Sequence, residues 1–278
     1  MTALGLASNT LTRETTDTSV EFCVRGHLQG SLPMALLVTV PPKSKVHQFV
    51  DRMFNFFFPN SYRQLSTAPK RYENLMDQLR CLLGPLAVDA DRVTDEFFAA
   101  LPEIYDRLLE DANAALAFDP AATGIEEVVA AYPGFYATAV YRLAHKLIRL
   151  DVPLLPRMMT EYAHSKTGID IHPAAQIGRA FVIDHGTGVV IGATTRIGNH
   201  VKIFHGVTLG ALQVDKSLAN TKRHPTIEDH VTIYANATVL GGETIVGRHS
   251  ILGGNVWITR SVPPHSRVYH DGMGGIRD

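Results

Sequence analysis

The sequence predicts an α+β chain, with an all-α amino-terminal domain followed by a left-handed parallel β-helix. Three observations predict it. Apolar residues recur at three- and four-residue steps from about residue 43 to 162, then at six-residue steps from Ile171 onward. Glycine and histidine crowd into the second region, where residues 168–278 hold 16 of the 22 glycines and 9 of the 13 histidines. The chain has 278 residues, 45% apolar and 19% charged, enough for one large domain or two of ordinary size, with a buried core.

Residues 1–42 show no clear period and read as an amino-terminal extension. Residues 43–164 read as the helical domain. Within it Phe97, Leu101, Ile104, Tyr105 and Leu108 fall on one helix face, as do Val140, Leu143, Leu147 and Leu150. Pro133 and Gly134 mark a boundary between two helical runs, because proline starts a helix far better than it continues one. Pro153 and Pro156 mark a break before the second domain, residues 165–278.

There the aliphatic positions are Ile171, Ile177 and Ile183, then Ile191, Ile197, Ile203 and Leu209. They resume at Ile227, Ile233 and Val239, then Val246, Leu252 and Ile258. Neither a helix nor an ordinary strand repeats every six residues. A triangular coil does: each hexad supplies one side and one corner, with its aliphatic residue pointing inward. The rhythm breaks by two residues around Asp184–Gly188, by a long excursion at 211–226, and by one residue near 241–245. Insertions into a repeat become loops, and loops on a rigid scaffold tend to carry function.

Net charge is −1 and the pI is near 6.9, which argues against nucleic acid or a membrane surface as a partner. No apolar stretch approaches the ~18 residues of a membrane span. No signal pattern opens the chain, so a cytoplasmic location is expected. The two cysteines, Cys23 and Cys81, fit a reducing compartment and receive no chemical role.

His185 stands in the first insertion, and an imidazole is the natural general base near neutral pH. Asp170 lies fifteen residues earlier, close to one coil, and is the candidate partner of His185. With no protein nucleophile beside it, such a pair suits deprotonation of a substrate hydroxyl. Arg223 and His224 close the long excursion and offer donors for a substrate carboxylate. A competing reading gathers His185, His200 and His205 around zinc, as in a β-helix hydratase. A scaffold that binds a partner without catalysis is the reading from a different class.

Several segments in order resemble serine O-acetyltransferases, a hexapeptide-repeat acyltransferase family. They are Gly168-Ile169-Asp170-Ile171-His172-Pro173-Ala174-Ala175, Ile177-Gly178-Arg179, Asp184-His185-Gly186-Thr187-Gly188, Val207-Thr208-Leu209-Gly210 and Arg223-His224-Pro225. In the helical part, Tyr141-Arg142-Leu143-Ala144-His145 adds to the likeness, which covers roughly residues 125–270. The resemblance implies transfer of acetyl from acetyl-CoA to L-serine, giving O-acetyl-L-serine for cysteine synthesis. It makes His185 the base and Asp170 its partner, and puts Asp184, Arg223 and His224 on serine. It lays acetyl-CoA near Gly210, Ala211, Ala235 and Gly254, with no metal expected. It also implies a homo-oligomer, a trimer or a dimer of trimers.

Three departures stand out. Where the family has an Asp-Pro-Ala in the helical domain, whose aspartate grips the serine amine, this chain reads Tyr132-Pro133-Gly134, which leaves a different hydroxyl acceptor as an alternative. The loop Ala211–Thr221 lacks the usual glycines. The chain ends Gly275-Ile276-Arg277-Asp278 and not on isoleucine, which argues against the usual complex with O-acetylserine sulfhydrylase.

Overall fold

The computed structural model describes residues 40–59, 67–213 and 221–270. Most of the amino-terminal extension, Cys23, the greater part of the 211–221 loop and the carboxyl-terminal residues 271–278 lie outside the described residues. Among the described residues seven helices come first: α1 (Lys43–Phe57), α2 (Ala68–Leu83), α3 (Ala90–Ala99), α4 (Leu101–Phe118), α5 (Ile125–Ala131), α6 (Pro133–Arg149) and α7 (Leu155–Thr167). Their core follows the helical period. Helix α1 buries Val46, Phe49, Val50, Met53 and Phe57. Helix α6 buries Val140, Leu143 and Leu147, as the sequence predicts, and Leu150 caps its end.

One expectation is revised. The run from Phe97 to Leu108 is two helices, not one, because the chain breaks at Ala100 between α3 and α4. Pro102 sits in the first turn of α4, where its missing N–H costs nothing. Both pieces still bury their predicted apolar side chains, with Tyr105 half-buried, so the periodicity alone conceals the break.

Fourteen short strands follow among the described residues: β1 (Asp170–Ile171), β2 (Gln176–Ile177), β3 (Val182–Asp184), β4 (Val190–Ile191), β5 (Arg196–Ile197), β6 (Lys202–Phe204), β7 (Thr208–Gly210), β8 (Thr226–Ile227), β9 (Thr232–Ile233), β10 (Thr238–Leu240), β11 (Ile245–Val246), β12 (Ile251–Leu252), β13 (Trp257–Ile258) and β14 (Arg267–Val268). They form three parallel sheets, ordered β1-β4-β7-β10-β13, β2-β5-β8-β11 and β3-β6-β9-β12-β14. This is the left-handed parallel β-helix that the six-residue repeat predicts. The inward column of each face is aliphatic and buried, from Ile171 through Leu252, with Ile258 half-buried at the last coil.

The register reproduces the insertions. Asp170 pairs with Val190 across the two-residue insertion, Val190 with Thr208 at the uninterrupted step, and Thr208 with Thr238 across the long excursion. Between the second and third faces each corner turns on a residue with positive φ: Ala180, His200, His230, His249 and His265. The four imidazoles stack ring on ring at 4.7, 4.7 and 5.0 Å. A structural role therefore accounts for four of the nine clustered histidines.

Several contacts fasten the helices to the β-helix, two of them at α6. Arg142 on α6 and Asp111 on α4 form a buried bidentate pair at 2.5 and 2.7 Å. Arg142 also donates to the Gly178 carbonyl, and Phe181 N–H donates to Asp111. Gly134, in the first turn of α6, lies against β3. A Cβ there would stand 2.1 Å from the Ile183 carbonyl oxygen. This close approach sets the neighbouring Tyr132 beside the end of β3.

Candidate active site

Face one of the β-helix carries β1, β4, β7, β10 and β13, and the candidate residues lie at its two edges. At the entry edge, β3 ends in Asp184 and the inserted turn begins with His185. His185 has φ 57, a conformation uncommon for a side chain other than glycine. Its side chain is 74% exposed, and Nε2 lies 3.9 Å from Asp184 Oδ1. The His205 ring stands edge-on to it, centroids 5.8 Å apart. The turn closes by Gly188 N–H donating to the Gly168 carbonyl of the preceding coil. The imidazole therefore projects from a rigid corner with a carboxylate beside it, open to a substrate.

Asp170 begins β1, and its backbone N–H donates to the Val189 carbonyl just beyond the same turn. Its carboxylate accepts from Arg157, at 2.9 Å from Nη1 and 3.4 Å from Nη2, and makes no hydrogen bond to His185. Arg157 also pairs with Glu161. Asp170 thus stands near the corner of His185 with its charge shared by an arginine of α7.

Arg223 and His224 occupy the opposite edge. Thr194 organises them: its Oγ1 accepts from the backbone N–H of both residues, at 2.9 and 3.0 Å. His224 is 8% exposed, and Thr194 N–H donates to its Nδ1 at 3.1 Å. Burial, joined by the positive charges of Arg223, His172 and Lys222, pushes its pKa down to about 4. His224 is therefore neutral near pH 7. With Nδ1 accepting, the proton resides on Nε2, which makes His224 a donor there. Gly192 makes room for this ring, since a Cβ would lie 2.0 Å from its Cδ2.

The four residues near which the resemblance lays acetyl-CoA divide the same way. Ala235 and Gly254 are at the His185 edge on successive coils, where a Cβ on Gly254 would lie 3.2 Å from the Ala235 carbonyl oxygen. Gly210 ends β7 and Ala211 follows it at the other edge.

The sequence reading missed Asp119. Tyr132, at the start of α6, donates from Oη to Asp119 Oδ2 at 2.5 Å. Asp119 Oδ1 accepts from Ala121 N–H at 2.8 Å. The Tyr132 hydrogen bond, followed by that from Ala121 and the nearby His185, holds the Asp119 carboxyl below the usual range. Tyr132 is pushed up to about 12, first by the same bond, with Asp184 contributing. One expectation is corrected here: Asp119-Pro120-Ala121 is itself an Asp-Pro-Ala run in the helical domain, so Tyr132 does not replace that aspartate but donates a hydrogen bond to it.

The zinc alternative is corrected. His200 stacks on His230 at a different corner from His185 and His205, so the three rings do not converge. No group of three or more His, Cys, Asp or Glu among the described residues is arranged to hold a metal.

No family model matches the chain. The plasmid-borne serine acetyltransferase of Synechococcus elongatus is 53% identical over 188 residues, 66% of this chain and 59% of that one. The chain thus spans less than two thirds of that relative's length. The serine acetyltransferase of Bacillus pumilus is 43% identical over 164 residues, 59% of this chain and 73% of the relative. Among solved structures, native serine acetyltransferase 1 of Entamoeba histolytica superposes with a TM-score of 0.75 at 35% identity, covering 82% of this chain and 98% of that one.

Proposed function

We infer that this chain, which belongs to the serine acetyltransferase family, transfers acetyl from acetyl-CoA to the hydroxyl of L-serine. The observation that carries the reading is His185, an exposed imidazole on a rigid corner with Asp184 at 3.9 Å. In the proposed reaction His185 takes the serine hydroxyl proton as the oxygen attacks the thioester carbonyl. The tetrahedral intermediate collapses with cleavage of the C–S bond. The protonated His185 returns its proton to the CoA sulfur, and O-acetyl-L-serine and CoA thiol leave. Asp170 and Asp184 favour the transient imidazolium, and backbone N–H groups near Gly210 stabilise the oxyanion. Arg223 and neutral His224 hold the serine carboxylate by donated hydrogen bonds. Ala235 and Gly254 present little side chain, which suits the passage of a long thioester arm.

His185 and Arg223 stand at opposite edges of one face. That division supports a site completed between two copies, one lending its His185 edge and the other its Arg223 edge. A closed ring of copies, such as a trimer, makes that contact repeatedly. The product carries a good leaving group on its β-carbon, which suits a following displacement by sulfide in cysteine synthesis. A cytoplasmic location belongs to the same proposal; among the described residues no helix is long and apolar enough to cross a membrane.

The test is release of CoA thiol from acetyl-CoA by the purified chain. Release that requires L-serine and yields O-acetyl-L-serine by mass supports the reading. Absence of serine-dependent release rejects it.

A further inference from the structure

The corner between faces two and three carries side chains that the reaction derived above does not use. On four successive coils its left-handed residue is a histidine: His200, His230, His249 and His265. The conformation itself does not call for imidazole. At the corner between faces three and one the same left-handed position is filled by Gly206, Asn236 and Asn255. Glycine and asparagine are the residues that enter it most easily. The backbone pins each histidine, since the N–H groups of His200, His230, His249 and His265 donate to the carbonyls of Arg179, Asn199, Asp229 and Arg248 on the coil before. The side chains stand outside this frame. All four residues are exposed, and neighbouring rings are cofacial, with planes 3, 3 and 12° apart. Asp229 and Arg248 flank the row with one charge of each sign, so its chemistry is that of the imidazoles.

We propose that neighbouring imidazoles of this row bind a borderline divalent cation, Zn²⁺, Ni²⁺ or Cu²⁺, with one nitrogen from each of two adjacent coils and water for the rest of its shell. Imidazole suits these ions, whereas Mg²⁺ and Ca²⁺ take oxygen ligands. In the cofacial arrangement, with centroids 4.7 Å apart, two rings do not yet share an ion. Ligands at about 2.0–2.1 Å from a metal stand at most about 4 Å from each other. Rotation about the two side-chain torsions closes that gap, and exposure lets each ring turn while its backbone stays fixed. The ion then ties one coil to the next and stabilises the solenoid. This is not the zinc centre rejected above: both ligands come from one corner, and the ion takes no part in the reaction. The corner lies opposite face one, so a contact between copies through the His185 and Arg223 edges leaves it open. The inference is independent of the acetyl-transfer reading and survives its failure.

Ni²⁺ alone is the probe, with Mg²⁺ as the control. The proteins are the wild type and two double variants. H230N/H249N leaves no two rings adjacent. H200N/H265N removes as many imidazoles but keeps the central pair. Asparagine already holds this conformation at Asn236 and Asn255, so both variants keep the corner. In equilibrium dialysis the wild type and H200N/H265N are expected to bind Ni²⁺, and H230N/H249N to lose about 10-fold or more in affinity, since its remaining rings act singly. Saturating Ni²⁺ is expected to raise the melting temperature of the wild type by about 5 °C, a rise that EDTA reverses, and to move H230N/H249N by about 1 °C or less. Mg²⁺ is expected to do neither. A wild type that binds Ni²⁺ no more tightly than H230N/H249N overturns the proposal. So does an H200N/H265N variant that loses as much as H230N/H249N, because single imidazoles then account for the binding. The wild type also carries a test of its own: no rise in melting temperature with Ni²⁺ overturns the proposal whatever the variants do.

Discussion

Arg157 Nη1 lies 2.9 Å from Asp170 Oδ1, so the carboxylate proposed as the partner of His185 is tied to an arginine of α7. Its negative charge is shared, not directed wholly at His185. In the proposed reaction Asp170 acts on His185 through space, and only as far as Arg157 allows.

On this account H185A lowers kcat by about 10²- to 10⁴-fold, the usual worth of a positioned base, and changes KM for L-serine little. D170N lowers kcat by less than H185A and more than it changes KM. Steady-state kinetics on the two variants check both statements. A KM rise without loss of kcat in D170N contradicts the assignment.

Gly134 and the Ile183 carbonyl set the distance between α6 and β3. G134A drives a Cβ to 2.1 Å from a backbone oxygen, which only a shift of α6 can relieve. The expected outcome is a rise in KM for L-serine, since Tyr132 moves with the helix. An unchanged KM shows that α6 does not position the site.

Arg142 and Asp111 are both buried, and each is the main counter-charge of the other. R142M leaves Asp111 uncompensated and is expected to destabilise the fold by about 3–5 kcal/mol. The double variant R142M/D111L is expected to recover part of that loss. Denaturant unfolding of the three proteins measures it, and a silent R142M contradicts the account of how helices and β-helix are joined.

Acid is expected to weaken the fold. Burial holds His224 at about 4, and burial with the neighbouring His230 and His265 holds His249 below its ordinary value. The folded chain thus binds fewer protons than the unfolded one in this range. Stability is full above about pH 6.5, the ordinary imidazole value, and declines as pH falls from there toward 4. Melting temperatures at pH 7.5 and 5.0 check the direction. Asparagine tolerates the left-handed corner, so H230N/H249N is expected to flatten the dependence. A wild type more stable at pH 5.0 contradicts it.

The β-helix was legible because its inward column is strictly periodic, and even the lengths of its interruptions appear unchanged in the strand register. His185 stood out in the sequence because it lies in such an interruption. The break at Ala100 was not, since the spacing from Phe97 to Leu108 runs through it. Nor was the separation of His200 from His205, because residues close in sequence can stand on different corners of a triangular coil. Asp119 was legible as the start of Asp119-Pro120-Ala121 but was sought thirteen residues too late, at Tyr132. Arg157 was hidden because it gains its meaning from Asp170 on another element, at a spacing that follows no repeat.

The measurement closest to the central claim mixes two damaged chains. H185A spoils one edge of the site and R223A the other. Co-expressed and co-assembled, they are expected to regain serine-dependent thiol release, up to about one quarter of wild type for random trimers, because some interfaces join two intact edges. Each variant alone stays near background. Verified mixed assemblies that remain as inactive as their parents contradict a site shared between copies.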